Sequence, residues 1–118
     1  MTLDPINFYK CLADDTRLRA LMLIFLEQEL CVCELVEALQ ESQPKISRHL
    51  AQLRQCGLLT DRRQGQWVYY RINESLPEWA ELVLQISTVE NPSYTADDRA
   101  RLHSMGDRPA RMQSCCGE

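Results

Sequence analysis

Apolar residues recur at helical spacing along the first half of the chain and predict four helices. The first spans residues 5–13, and the second follows residues 14–16, whose Asp and Thr side chains can cap a helix. The second helix is apolar almost all round, which places it at the centre of the core. The third covers residues 31–40. The fourth begins after Ser42, a good N-cap, and ends at Gly57.

The second half of the chain changes pattern. Residues 58–63 and 66–72 are strand-like and flank Gln-Gly, which predicts a β-hairpin. A fifth helix follows and ends before residue 92, whereas residues 93–118 are polar with little periodicity and predict a flexible tail. We therefore expect a mainly α (α+β) winged helix-turn-helix fold: five helices and a two-stranded wing in residues 1–92, followed by the tail.

The charge distribution changes how the net charge of −4 is interpreted. Residues 41–71 hold six Lys/Arg against two Asp/Glu, whereas residues 1–40 hold three against seven and residues 72–118 hold four against eight. A basic centre between two acidic flanks is typical of a surface that meets phosphate. The sequence thus predicts a local site for double-stranded DNA despite its acidic total.

The fourth helix and the hairpin carry the residues suited to DNA. Base edges are read by polar side chains at the start of a recognition helix, and phosphates are held by cations. The alternative is a merely solvated helix face, and for the histidine a packed ring. The candidates are Gln43, Lys45, Ser47, Arg48 and His49 for bases, and Arg62 and Arg63 for phosphates.

Six cysteines occur in a chain that opens without a recognisable export leader, and its longest apolar run is far below the roughly 20 residues of a membrane span. We therefore expect a soluble, cytoplasmic protein with no membrane partner. Thiols stay reduced there and serve as ligands more often than as disulfides. Cys11 and Cys56 lie in or beside helical core patterns and are interpreted as packing residues.

Cys31 and Cys33 form the candidate ligand pair. They lie near the start of the third helix, where unpaired N–H groups lower thiol pKa values. On a regular helix they would be roughly 200° apart, so binding one ion should distort that turn. A soft trivalent ion that accepts two or three sulfurs, As(III) or Sb(III), suits them, with Cys115 or Cys116 as a candidate third ligand. No organic cofactor is implied.

Four motifs carry a family resemblance: LADDTRL at 12–18, ELCVCEL at 29–35, SQPKISRHL at 42–50 and GQWVYYR at 65–71. With them the chain resembles the ArsR/SmtB family of metal-responsive repressors, and specifically its arsenical-resistance members. The resemblance implies a homodimer joined through the first and last helices, operator binding without inducer, and release on metalloid binding. Many such relatives have a third cysteine where this chain has Val36.

The fifth helix fits the dimer role on physical grounds, because an exposed apolar stripe needs burial against something. The predicted interface residues are Phe8, Trp79, Leu82, Val83 and Ile86.

Other functions remain open at this point. The fifth helix lacks the histidine that zinc-responsive relatives carry there, whereas cadmium or lead sensing through Cys31, Cys33 and another thiol fits better. A repressor whose thiols oxidise to a disulfide is a third possibility. A small thiol-dependent enzyme is disfavoured because the chain has no CxxC motif. We expect a regulator and not an enzyme.

Overall fold

The computed structural model describes residues 3–106, which form six α-helices and a three-stranded antiparallel sheet. This confirms the predicted winged helix-turn-helix architecture. Within these residues no helix is long and apolar enough to cross a membrane. The elements are α1 (Pro5–Leu12), α2 (Asp15–Glu27), β1 (Leu30–Cys31), α3 (Val32–Leu39), α4 (Gln43–Gln55), β2 (Leu59–Gln64), β3 (Trp67–Ile72), α5 (Glu78–Val89), a 3₁₀ turn (Pro92–Thr95) and α6 (Ala96–Ser104).

Two helix starts are capped by side chains that the sequence predicts. The Asp14 carboxylate accepts a hydrogen bond from the Arg17 backbone N–H at 3.0 Å. The Ser42 hydroxyl accepts one from the Lys45 N–H at 3.3 Å. Such caps satisfy donors that the first turn of a helix leaves unpaired. The starts of α2 and α4 are therefore encoded locally.

The second helix lies at the centre of the core, as its apolar circumference predicts. Leu21, Leu23 and Ile24 are completely buried, and α2 packs against α1, α3, α4 and α5. Each fully buried side chain of this kind stabilises the fold by about 1.5–3 kcal/mol. The helix pair α3 and α4 joins the same core through Leu35 and Leu50, both also fully buried.

The sheet has one strand more than the predicted hairpin. β3 lies in the middle, paired with β2 on one side and with the two-residue strand β1 on the other. Gly65 turns the hairpin with a positive φ of 64°, a conformation that glycine adopts without steric cost. Cys31 faces Tyr69 across the β1–β3 ladder. A two-residue strand is too short to show alternation, so no pattern in the sequence predicts it.

The beginning of the predicted tail is folded. Residues 92–104 form the 3₁₀ turn and α6, and α6 packs against α2 and α3. Its single fully buried apolar side chain is Leu102. Asp98 is 2% exposed and pairs with both Arg19 and Arg101. This helix docks through one leucine and the ion pairs of one buried carboxylate, which produces no apolar period.

Candidate nucleic-acid interface and thiol site

A three-residue link, residues 40–42, joins α3 to α4. Gln40 closes α3 in the left-handed region with φ 58°, and its backbone N–H donates to the Val36 carbonyl. Leu39 and Ile46 are buried on either side of the link. The two helices are thus held as a compact pair with the outer face of α4 turned to solvent.

The outer face of α4 presents most of the predicted base-reading side chains. Gln43, Ser47 and Arg48 are exposed. Lys45 is half-buried, and its ammonium lies 3.1 Å from the Glu41 carboxylate. A partly exposed pair between neighbouring turns of this kind is weak, so it can exchange for a phosphate contact. Of the three exposed side chains, only Arg48 carries a charge.

His49 differs from its predicted place. Its side chain is only 8% exposed and lies between α4 and the start of α2. Its ring is 3.7 Å from the Asp14 carboxylate and 3.3 Å from the Gln52 side-chain oxygen. The packed-ring alternative therefore describes His49, and we assign it no DNA contact.

The two wing arginines have different surroundings. Arg62 donates to both carboxylate oxygens of Glu29 at 2.7 Å, and its guanidinium lies 4.7 Å from the centroid of the Tyr69 ring. Within residues 3–106 the structure gives Arg63 no ion pair, and it is exposed one residue before the end of β2. Arg62 ties the wing to the segment before α3, so Arg63 is the better phosphate candidate.

Cys31 is the N-cap of α3 and the last residue of β1. Its backbone is extended, with φ −97° and ψ 170°, so it is outside the helix that the sequence assigned to it. The side chain is 2% exposed and packs against Tyr69 and half-buried Cys33. The separation of about 200° expected for two helical residues therefore does not apply to this pair.

A buried carboxylate holds the start of α3. Glu34, which is completely buried, accepts a hydrogen bond from the Cys31 backbone N–H at 2.9 Å. The Cys31 side chain in turn receives the Glu34 N–H, which completes a capping box with cysteine in the position usual for serine. The Cys31 sulfur is thus already part of the structure that keeps the first turn of α3 closed.

The predicted lowering of the thiol pKa is wrong for Cys31. Burial raises its pKa to about 11, because the thiolate would lose its solvation, and the nearby Glu34 carboxylate adds to the rise. The backbone N–H groups of Cys33 and Glu34 act in the opposite direction but do not outweigh burial. The resting site therefore holds a neutral thiol at Cys31.

The remaining cysteines complete the thiol inventory. Among residues 3–106, no three His, Cys, Asp or Glu side chains are grouped to hold a metal ion. Cys33 is disulfide-bonded in this structure and must be reduced before it can share an ion with Cys31. The predicted third ligands, Cys115 and Cys116, lie outside the described residues.

Cys11 is buried in the core and Cys56 packs against it, which confirms their predicted role as packing residues, but the sequence did not predict that they are bonded to each other. Their sulfur atoms form a disulfide, with the Cα atoms 6.9 Å apart. The two residues are 45 positions apart in sequence, so no spacing pattern could reveal the pair.

The predicted dimer residues divide between core and surface. Phe8 is completely buried and packs edge-to-face against Trp79, with ring centroids 4.9 Å apart, and Val83 is half-buried against the core. Trp79, Leu82 and Ile86 remain exposed. The sequence missed three further exposed apolar side chains on α1 and α5: Ile6, Tyr9 and Val89.

The chain is similar to known regulators. Residues 14–61 match the family described as bacterial regulatory protein, arsR family. The chain is 55% identical over 112 residues to the arsenic resistance transcriptional regulator ArsR2 of Pseudomonas putida, covering 95% of this chain and 97% of that protein. It is 55% identical over 80 residues to the arsenical resistance operon repressor of Escherichia coli K12, covering 68% of each.

Among solved structures, the transcriptional regulator HlyU of Vibrio vulnificus superposes with a TM-score of 0.65 at 35% identity, covering 73% of this chain and 85% of that one. These relatives are named as transcriptional regulators or repressors, and none of the three is named as an enzyme.

Proposed function

The chain belongs to the arsR family of bacterial regulatory proteins, and from this premise we propose that it is an arsenical-resistance repressor that binds operator DNA as a homodimer. As(III) or Sb(III) bound by Cys31 and Cys33 releases it. We expect the repressor to bind its operator DNA in the cytoplasm. The observation that carries the proposal is the position of Cys31, which is both the N-cap of α3 and the β1 partner of the wing strand β3.

Metalloid binding at Cys31 changes both the helix pair of α3 and α4 and the wing. Two thiols displace two hydroxyl groups of arsenous acid, two As–S bonds form, and two water molecules leave. A Cys31 sulfur that is bonded to arsenic no longer accepts the Glu34 N–H, so the capping box at the start of α3 is lost. Because Cys31 is already extended, the first turn of α3 opens without unwinding the whole helix.

Metalloid binding is transmitted to the wing through two sets of contacts. The β1–β3 ladder joins Cys31 to Tyr69, and the Arg62 guanidinium bridges Glu29 and the Tyr69 ring. A shift at residues 29–31 therefore moves the wing relative to α4. Since both must contact one duplex at once, loss of their alignment weakens operator binding.

The proposal is tested by release from DNA. An operator selected in vitro from random duplexes would be labelled, and its anisotropy followed with the reduced protein in a phosphine reductant, since dithiol reductants bind arsenite themselves. We expect saturating arsenite or antimonite to lower operator affinity by roughly 5- to 150-fold, and zinc to have little effect. Release by cadmium or lead alone, or only by peroxide, would favour the alternative sensors of the same fold.

Substitution of Arg48 and of Arg63 distinguishes base reading from phosphate contact. We expect Arg48→Ala to weaken operator binding by about 1–3 kcal/mol and to relax specificity at one base position. Arg63→Ala should weaken all sequences alike and reduce the salt slope by about one. The measurement is anisotropy against operator and scrambled duplexes at several salt concentrations. Identical profiles for the two variants would remove these assignments.

The exposed apolar face of α1 and α5 supports dimer formation, because a monomer would leave it in water. We expect the wild type to sediment as a dimer at micromolar concentration and to prefer two half-sites about one helical turn apart. Ile86→Asp should give a monomer, because Ile86 is 59% exposed on that face. Gln85→Asp, at the exposed neighbouring position, is the matched control. A dimeric Ile86→Asp protein would place the interface elsewhere.

A further inference from the structure

The disulfide between Cys11 and Cys56 joins two elements with different tasks. Cys11 lies in the last turn of α1, which carries part of the exposed apolar face, and Cys56 is the C-cap of α4, the helix with the basic outer face. We propose that this pair is a redox-modified site, separate from Cys31 and Cys33, whose oxidation locks α1 to the end of α4.

The Arg17 guanidinium bridges the two helices that carry the pair. The Arg17 guanidinium donates to the Cys11 carbonyl at 2.8 Å, to the Lys10 carbonyl at 3.2 Å and to the Gln52 side-chain oxygen at 2.9 Å. It therefore keeps α1 and α4 together whether or not the sulfurs are bonded. The two thiols of the reduced protein stay close, which is the condition for rapid and reversible disulfide formation.

Small oxidants have access to the sulfurs. Cys11 and Cys56 line an open pocket of about 400 Å³ together with Lys10, Arg17 and Gln52. Cys56 is the more exposed of the two cysteines. The cationic side chains of Lys10 and Arg17 line the same pocket, and the thiolate is the form of cysteine that reacts with peroxide. Buried Cys31 has no comparable exposure, so the two sites differ in accessibility.

The chemistry balances with a peroxide as the oxidant. The Cys56 thiolate attacks one oxygen of hydrogen peroxide, the O–O bond breaks, and hydroxide leaves a sulfenic acid behind. The Cys11 thiol then attacks that sulfur, the S–O bond breaks, and water leaves. The two thiols lose two electrons and two protons in all, and one peroxide becomes two water molecules. A thiol reductant reverses the reaction by exchange.

The effect on release rests on the proposed function. Because α3 and α4 pack against each other, opening of the first turn of α3 also shifts α4 relative to α1, and a covalent bond at the end of α4 restricts that shift. We therefore expect wild type that carries the Cys11–Cys56 disulfide but keeps Cys31 and Cys33 reduced, as checked by peptide mapping after limited peroxide treatment, to need about tenfold more arsenite for release than Cys11→Ser treated in the same way, which is within the usual range of coupling between sites. Their reduced forms should release at equal concentrations.

The bond itself is tested without DNA. In a variant with Cys31, Cys33, Cys115 and Cys116 replaced by serine, peroxide should remove two hydrogens from the mass and raise Tm by about 8–16 °C. Adding Cys11→Ser should abolish both effects. Peptide mapping of the peroxide-treated wild type should recover the Cys11–Cys56 link even if the multiple variant folds poorly.

Three results distinguish failure of the disulfide site, failure of the lock and failure of the proposed function. Absence of the linked peptide in the wild type would overturn the site. If the two oxidised proteins released operator DNA at equal arsenite concentrations, the proposed locking of α1 to the end of α4 would be wrong. If reduced wild type bound operator but ignored arsenite, the proposed function would fail, while the mapped disulfide would still stand.

Discussion

Replacing Cys31 and Cys33 together by serine is expected to abolish arsenite-dependent release while operator affinity stays within about twofold of wild type. Neither cysteine is on the outer face of α4 or at the tip of the wing, so Arg48 and Arg63 keep their positions. Serine in the N-cap position retains a hydrogen-bond acceptor for the first turn of α3. What is lost is the pair of soft sulfur ligands, for which a hydroxyl is no substitute.

The measurement is the fluorescence anisotropy of labelled operator DNA during an arsenite titration. The wild-type affinity should fall by roughly 5- to 150-fold, and the variant affinity should change by a factor of about one. Hydrogen exchange gives a second readout, because the amides of Cys33 and Glu34 should lose protection in the wild type as the first turn opens. In the double variant their protection should not respond to arsenite.

The matched control removes a different pair of cysteines. Cys11→Ser with Cys56→Ser, in reducing buffer, should leave the arsenite response intact. Cys115→Ser with Cys116→Ser should weaken the response only if one of these residues supplies a third sulfur. Release of the Cys31/Cys33 variant at the wild-type arsenite concentration would contradict the proposed site and direct attention to Cys115 and Cys116.

Asp98→Asn is expected to destabilise the protein by about 2–3 kcal/mol. The Asp98 carboxylate is almost completely buried and lies 2.8 Å from the guanidinium groups of both Arg19 and Arg101. Breaking a buried pair from one side leaves a charge without compensation, which costs about 3–5 kcal/mol when burial is complete. The Arg19 and Arg101 side chains are 15% and 36% exposed, so water recovers part of that cost.

Urea and thermal denaturation measure the effect. For a chain of this length the loss corresponds to a decrease in Tm of roughly 8–12 °C. Asp97→Asn is the matched control, because Asp97 is the exposed neighbour in the same first turn of α6, and it should change stability by less than about 0.5 kcal/mol. Equal stability of the two variants would mean that α6 does not depend on this carboxylate for its docking.

The sequence by itself determined the elements whose physics is local. The N-caps at Asp14 and Ser42, the apolar circumference of α2 and the glycine turn at Gly65 each depend on residues a few positions apart. Periodicity reports which face of an element is buried, and that was sufficient for the helix-turn-helix pair and the wing. The basic centre also needed only a count along the chain.

The tertiary structure decided what those elements bring together. His49 turns inward because Asp14 and Gln52 meet its ring. Likewise, α6 docks because Asp98 meets Arg19 across 79 positions. Neither partner is marked by any local pattern.

The thiol sites depend on the same long-range effects. Cys31 takes an extended backbone because β1 pairs with β3, and the resulting burial reverses the pKa shift that its place at a helix N-terminus favours. Cys11 meets Cys56 only after α1 and α4 have packed on α2. A sequence pattern records the environment of one element, whereas contacts and desolvation between distant elements exist only once the chain has folded.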